Sequence, residues 1–335
     1  MPLQIDRSRS KELAPRLDEA LEIISNEFEG LDAHRQYRNA FSRLLKPDPL
    51  GRVAMMGTDQ RDLFVPLLRE TLSTYVPTVG GQIFDFGAGD GQTFALAADA
   101  APEGTTVSVE EPNPGYLADY AAFLERHPRL RVGTLLESGL DEIDEIAERT
   151  GAILPPDASI DLGLGLHMIY FATDMEACFA RMLRFVKPGG AFFNVVADET
   201  TAYCGRVLRA LIDAGGDTGA NDHQLAAIDH RQRLFAPTED GGGAIARVLE
   251  AAGIQVEMTS QRQPSRLYGH SLSDILALSN IATLIDAPGT LKFEVATRIL
   301  RDAPEEIDLR IETDGPRMGM WSVAQPQWVT VLRRR

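Results

Sequence analysis

The sequence predicts an α/β protein built on a mostly parallel, doubly wound sheet. Three observations carry this. Short apolar runs alternate with helical periodicities between residues 82 and 197. The first of those runs ends in a glycine loop, Phe84-Asp85-Phe86-Gly87-Ala88-Gly89-Asp90-Gly91. The second ends on an acidic pair, Glu110-Glu111, about twenty residues further on, where such folds hold a ribose.

Before the sheet, residues 11–28 place Leu13, Leu17, Ala20, Leu21, Ile24 and Phe28 three or four apart, the spacing of a helix with one apolar face. A second helix is expected over 34–45, with Tyr37, Ala40, Phe41, Leu44 and Leu45 on its apolar side and Pro47, Pro49 and Gly51 stopping it. A third covers about 60–72, broken by Pro77 and Gly80-Gly81. Strands follow at 83–86, 105–110, 130–135, 159–164 and 191–197, with helices after the glycine loop and over 116–127, 137–149 and 174–185. Lys187-Pro188-Gly189-Gly190 reads as a turn, since Pro fixes φ and Gly permits reversal. Past Asp198 the pattern loosens. Helices are expected at 201–214, 242–252, 271–284 and 290–301, and two late strands at 255–260 and 328–332. The sum is a Rossmann-like, mostly parallel seven-stranded sheet with helices on both faces, an N-terminal helical cap and C-terminal insertions. The expected divisions are 1–78 (cap), 79–200 (core) and 201–335 (completion of the sheet with pocket or lid insertions).

Composition narrows the function. A chain of 335 residues with 44% hydrophobic residues has a sizeable core. Asp plus Glu exceed Lys plus Arg, 49 to 33, for a net charge of −16. That argues against nucleic-acid binding and against anionic membranes. The two cysteines, Cys178 and Cys204, are too few for a disulfide framework and read as buried thiols. No apolar run marks a secretory leader or a membrane span, so the expected location is the cytoplasm.

The glycine loop spells G-A-G-D-G-Q from Gly87, so its third glycine comes too early for a dinucleotide fingerprint. Asp85 before it and Asp90 inside it would repel a pyrophosphate. They suit a positive amino group or a neutral ribose, and Glu110 or Glu111 can accept from ribose hydroxyls. Strand alternation would leave at least one of those two glutamates as a solvated surface acid.

DFGAGDG, then Val109-Glu110-Glu111-Pro112, then KPGG before an apolar strand resembles the class I S-adenosylmethionine-dependent methyltransferases over about residues 80–200. The resemblance implies S-adenosyl-L-methionine as cofactor. Asp85, Gly87, Gly89 and Asp90 match the methionine-side loop, and Glu111 before Pro112 matches the ribose acid. Ser138, Leu166 and His167 fall where the family meets its cofactor after the third and fourth strands. A narrower resemblance, to histamine N-methyltransferase-like small-molecule enzymes, rests on Tyr37-Arg38-Asn39-Ala40-Phe41, Glu111-Pro112 followed by Tyr116 and Tyr120, His167-Met168-Ile169-Tyr170-Phe171 with Asp174, and the final run from Trp328. It departs twice. His167 stands where that family has a glutamine, and no acid near Leu50 matches its substrate-binding glutamate.

Methyl transfer is an in-line displacement that needs a positioned, unprotonated nucleophile. His167 is the expected base or orienting group, set against a structural histidine at a strand end. Tyr37, Phe41, Tyr170 and Phe171 read as an aromatic wall or as core anchors. The pairs Asp222-His223 and Asp229-His230, seven apart, have a possible metal geometry but no third ligand at motif spacing, so no metal is expected; the segment reads as a solvated helix or as a lid with His223 or His230 touching the acceptor. Tyr268-Gly269-His270 has the surface and the pocket as alternatives. Trp321, in a Met- and Pro-rich loop, is a candidate pocket residue, and Trp328 a core one.

The expected function is methylation of a small molecule, on an amine nitrogen, by a monomer or homodimer without nucleic-acid or membrane partners. The alternatives are oxygen or carbon methylation with His167 as base, a nicotinamide oxidoreductase, and a non-enzymatic nucleoside-binding scaffold.

Overall fold

A computed structural model describes residues 3–5, 10–53, 55–214, 218–236, 243–281 and 289–335. Its strands are β1 Leu3–Gln4, β2 Gln82–Phe86, β3 Thr105–Glu110, β4 Leu130–Leu136, β5 Ile160–Leu166, β6 Val186–Ala197, β7 Val256–Gln263, β8 Arg266–Gly269, β9 Arg310–Ile311, β10 Trp321–Ala324 and β11 Gln327–Arg334. Its α-helices are α1 Ser10–Phe28, α2 Ala33–Leu45, α3 Gln60–Tyr75, α4 Gln92–Ala95, α5 Pro114–Arg126, α6 Ile143–Thr150, α7 Met175–Phe185, α8 Tyr203–Ala214, α9 Thr218–Phe235, α10 Ala244–Ala251, α11 Leu272–Leu278 and α12 Gly289–Asp302. The chain forms two compact units. One comprises Arg61–Val196, Arg233–Gln263 and Trp328–Arg335; the other comprises Met1–Gln60, Ala197–Gln232 and Pro264–Gln327. Both are assembled from separated stretches, whereas the divisions drawn on the sequence are continuous.

The first unit holds a seven-stranded sheet in the order β4-β3-β2-β5-β6-β11-β7. β4, β3, β2, β5 and β6 pair in parallel, as short apolar strands joined by helices must. The alternation of β2 shows why both faces are covered. Phe84 and Phe86 stack at 4.1 Å on the face shared with Phe185 and Phe179 of α7. Ile83 joins Val107, Val109, Leu162 and Leu164 on the other, under Phe64, Leu68 and Leu72 of α3 and Tyr120 and Leu124 of α5. Chain reversal doubles back twice from β2, first to β3 and β4, then to β5 and β6, the doubly wound Rossmann-like arrangement.

Several helix starts follow from capping. Asn113 accepts from the N–H groups of Gly115 and Tyr116, with Pro114 opening α5. Asp174 accepts from Ala177 N–H to start α7. The helix expected over 137–149 begins only at Ile143, because Ser138 and Gly139 belong to the strand-end loop. The helix expected after the glycine loop is the single turn α4 and a 3-10 turn, Ala98–Ala100. Lys187–Gly190 is not a free turn. It lies inside β6 as a bulge, with Ile160 opposite Val186 but Leu162 opposite Ala191. The bulge lets Lys187 pair with Asp161, whose other oxygen accepts from Gln82 N–H at 2.8 Å.

The second unit packs α1, α2, α8, α11 and α12 around one apolar core with a small sheet, β1-β9-β10-β8, whose pairings are antiparallel. Ser271 and Asp274 form a reciprocal capping box at the start of α11. Trp321 is not in a loop. It lies in β10, 5% exposed, with the Arg16 guanidinium 4.9 Å from the ring centroid. Its strand alternation was hidden by the neighbouring Met and Pro residues. Cys178 and Cys204 are buried thiols, and burial pushes Cys178 up to about 12. Among the described residues no helix is long and apolar enough to cross a membrane.

Candidate functional site

The carboxyl ends of β2, β3 and β5 bring most of the sequence-nominated residues together in the first unit, where open parallel sheets bind ligands. The glycine loop follows β2 directly. Gly91 has φ 77°, and a Cβ there would lie 2.6 Å from the Tyr120 ring. Gly87 has φ 57°, and its Cβ would lie 2.5 Å from the Met168 Cβ. Any L-residue is strained at both places and also collides. Beside Gly89 a Cβ would meet nothing within 4 Å, so the loop backbone there is open to a ligand.

Three carboxylates lie at this loop, and two of them, Glu110 and Glu111, hold it. Asp85 arrives from one face of the sheet, 1% exposed; the Tyr120 hydroxyl donates to its Oδ2 at 2.8 Å, and its buried Oδ1 has no partner among the described residues. Glu110 arrives from the other face. Its Oε2 accepts from Gly87 N–H at 2.8 Å, and Ser138 Oγ lies 3.4 Å from its Oε1. Glu111 accepts from Gly89 N–H at 2.8 Å on Oε2 and from Asn113 N–H at 2.9 Å on Oε1. The expectation that one glutamate is a solvated surface acid is therefore corrected. β3 ends at Glu110, alternation stops there, and Glu110 and Glu111 are 0% and 7% exposed. Burial is the main cause that raises Asp85 to about 7, opposed by the Tyr120 hydrogen bond and reinforced by Glu111. Burial likewise raises Glu110 to about 8, opposed by Gly87 N–H and reinforced by Glu111 and Asp85. Asp90 turns outward and caps the next turn, accepting from Gln92 N–H at 3.1 Å. Pro112 bridges Glu111 to the cap residue Asn113.

His167 directly follows β5, after half-buried Leu166. Its φ is 59°, a left-handed conformation that costs a non-glycine residue about 1–3 kcal/mol. Its N–H donates to Val195 O at 2.9 Å, which holds the backbone there. The ring Nδ1 is 3.2 Å from the Tyr170 hydroxyl, and the Phe64 ring stands edge-on at 6.1 Å. Phe64 brings the first turn of α3 to this end of the sheet, together with Arg61, whose pKa burial lowers against the opposing charge of Asp90.

The acceptor nominations divide. Tyr170 stands beside His167. Tyr37 and Phe41 stack at 5.6 Å but belong to the other unit, as does Trp321. The side chains of Phe171, Asp222 and His223 lie outside the described residues. Asp229 pairs with Arg209. Among the described residues no three His, Cys, Asp or Glu groups converge as a metal site. Tyr268 donates to Asp59 Oδ2 at 2.8 Å in the second unit. The reading of the sequence missed Phe64 and Arg61, ranked Glu110 behind Glu111, and gave Tyr120 no role at the loop. Tyr120 and Phe64 have core-like helical spacing, Glu110 stood beside a better motif match, and Arg61 carries no motif.

The donor set fits a nucleoside with a cationic end. The loop is lined by acceptors rather than by lysines, and Glu111 keeps a lone pair on each oxygen for hydroxyl donors. No protein-family model matches the chain, and no curated protein does. Among solved structures it is similar to a candidate methyltransferase from Bacillus halodurans, at 11% identity over 80% of this chain and 97% of that one, with a TM-score of 0.46. It is also similar to the YcgJ protein of Bacillus subtilis, at 14% identity over 81% and 98%, TM-score 0.44. A third is a candidate sarcosine dimethylglycine methyltransferase from Galdieria sulphuraria, at 12% identity over 90% and 98%, TM-score 0.44. The fold assignment rests on this chain's own strand order, in which the last strand, β11, enters between β6 and β7 as in the class I methyltransferase-like arrangement.

Proposed function

We propose that the chain is an S-adenosylmethionine-dependent methyltransferase acting on a small molecule. The observation that carries this reading is the glycine loop at the end of β2, anchored by Glu110 and Glu111 and open beside Gly89. In this reading the cofactor supplies a methyl group on a sulfonium. Glu111 accepts from the ribose hydroxyls, and Asp85 and Asp90 offer negative charge to the cationic amino-acid end. Gly87 and Gly89 admit the ligand to the backbone, while Pro112, Ser138 and Leu166 border it. His167 orients the acceptor and takes its proton where one must leave, and Tyr170 fixes the imidazole through Nδ1. The acceptor atom in this reading is an amine nitrogen.

A second reading, methylation of oxygen or carbon, draws on the same His167–Tyr170 pair. A hydrogen-bonded imidazole suits deprotonation of a hydroxyl or an enolisable carbon. The likeness to histamine N-methyltransferases remains one of sequence pattern, and residues 1–78 and 201–335 are proposed as the cap and pocket-forming parts of a cytoplasmic enzyme. The test is a screen of small amines, phenols and oxo acids with S-adenosylmethionine, reading the methylated product by mass spectrometry. N-methylated product supports the first reading. O- or C-methylated product supports the second. Binding of the cofactor with no product across all three classes would count against both.

A further inference from the structure

Among the described residues, the sunken guanidinium groups of Arg43, Arg231, Arg266 and Arg334 have partners. Arg43 pairs with Glu27 and Asp274, Arg231 with Glu199, and Arg266 with Asp308; Arg334 donates to backbone carbonyls instead. Arg61 breaks the rule. It is half-buried, yet among the described residues it makes no hydrogen bond, ion pair or ring contact. Only Asp90 acts on it, at electrostatic range. An uncompensated sunken charge is costly, and nothing in the packing of α3 requires it. That packing is supplied by Phe64, Leu68 and Leu72.

Its location gives the cost a purpose. Arg61, Phe64 and Leu68 share one helix face. Phe64 meets His167, so Arg61 stands a turn further out, over the carboxyl ends of the strands and toward the glycine loop. We propose that Arg61 is the anion receptor of this site and pairs with a carboxylate carried by a bound small molecule. A single guanidinium fork matches a carboxylate. Two sources supply the same chemistry: the amino-acid tail of the cofactor, or an acceptor of amino-acid or oxo-acid type. Naming these two sources rests on the methyltransferase reading; the anion receptor itself does not.

The test uses full-length Arg61→Gln and Arg61→Lys. Each is melted without ligand and titrated at constant ionic strength with S-adenosylhomocysteine, with 5′-methylthioadenosine (which lacks the amino-acid tail) and with malonate. Ligand-free Arg61→Gln is expected to melt at or above the wild-type Tm, since an unpaired charge has been removed. An affinity loss of about 10- to 100-fold is expected for the carboxylate that Arg61 holds, with Arg61→Lys intermediate. A loss for S-adenosylhomocysteine with methylthioadenosine unchanged assigns the cofactor's tail. Unchanged nucleosides with malonate binding lost assigns the acceptor. Wild type that binds malonate through Arg61 but no S-adenosylhomocysteine would sink the methyltransferase reading and keep the receptor. Equal weakening of both nucleosides, no change in any titration, or a Tm several degrees below wild type would overturn the receptor.

Discussion

Replacing Glu110 with glutamine separates the charge of this carboxyl from its hydrogen bonding. Glu110 is fully buried, and its pKa is raised from 4.5 to about 8, first by burial. Its folded pKa therefore lies above its unfolded one. The stability it contributes is complete below the unfolded value and is lost as pH rises through about 8. Within that window each pH unit withdraws about 1.4 kcal/mol for one proton. Between about pH 5 and pH 8 the group withdraws on the order of 4 kcal/mol. The glutamine variant keeps an acceptor for Gly87 N–H and cannot ionise. It is expected to lie within about 1 kcal/mol of wild type near pH 5 and to be the more stable protein near pH 8. Urea unfolding followed by circular dichroism at four pH values across this range measures both. Taking the difference between the two proteins removes the titrating groups that are not coupled to Glu110, which leaves Asp85 and Glu111 as its interacting neighbours. Parallel pH profiles, or a variant weaker than wild type near pH 8, would show that Glu110 is ionised in the fold and refute the argument.

Four further outcomes are expected. Glu111→Ala should weaken S-adenosylhomocysteine by about 1–3 kcal/mol in a binding titration, since ribose acceptors and the Gly89 and Asn113 anchors are lost together. Gly91→Ala should cost about 2–4 kcal/mol in urea unfolding, because φ 77° and the Tyr120 ring both oppose a Cβ; Tyr120→Phe alone should cost about 1. At His167, with φ 59°, asparagine should preserve the melting temperature and valine lower it, while both remove the ionisable limb of a pH–rate profile. Between about pH 6 and pH 9 the ionisation of Asp85 and Glu110 should strengthen binding of the sulfonium cofactor more than that of its neutral-sulfur product, as paired calorimetric titrations would show.

The sheet was legible because its signals are local. Alternating runs such as Ile83–Phe86 and Thr105–Glu110 carry their own period, and the late runs around residues 256 and 328 completed the seven strands. The second unit was not legible as a unit. β8, β9 and β10 have four, two and four residues, too short for a period, and they pair across separations that no local pattern records. The site divided along the same line. Asp85 near the end of a predicted strand, and Gly87, Gly89, Glu111 and His167 just after predicted strands, announce themselves by position. Tyr120 and Arg61 become candidates only when α5 and α3 are laid on the sheet. Glu110 was underrated because alternation was carried one residue past the end of β3.

The most direct measurement is calorimetric titration of the protein with S-adenosylmethionine and, in parallel, with NAD. Micromolar binding of the first and none of the second is the expected result, since a glycine loop anchored by Glu110 and Glu111, with Asp85 beside it, favours a cationic nucleoside over a pyrophosphate. Binding of NAD, or of neither, would contradict the account at its centre.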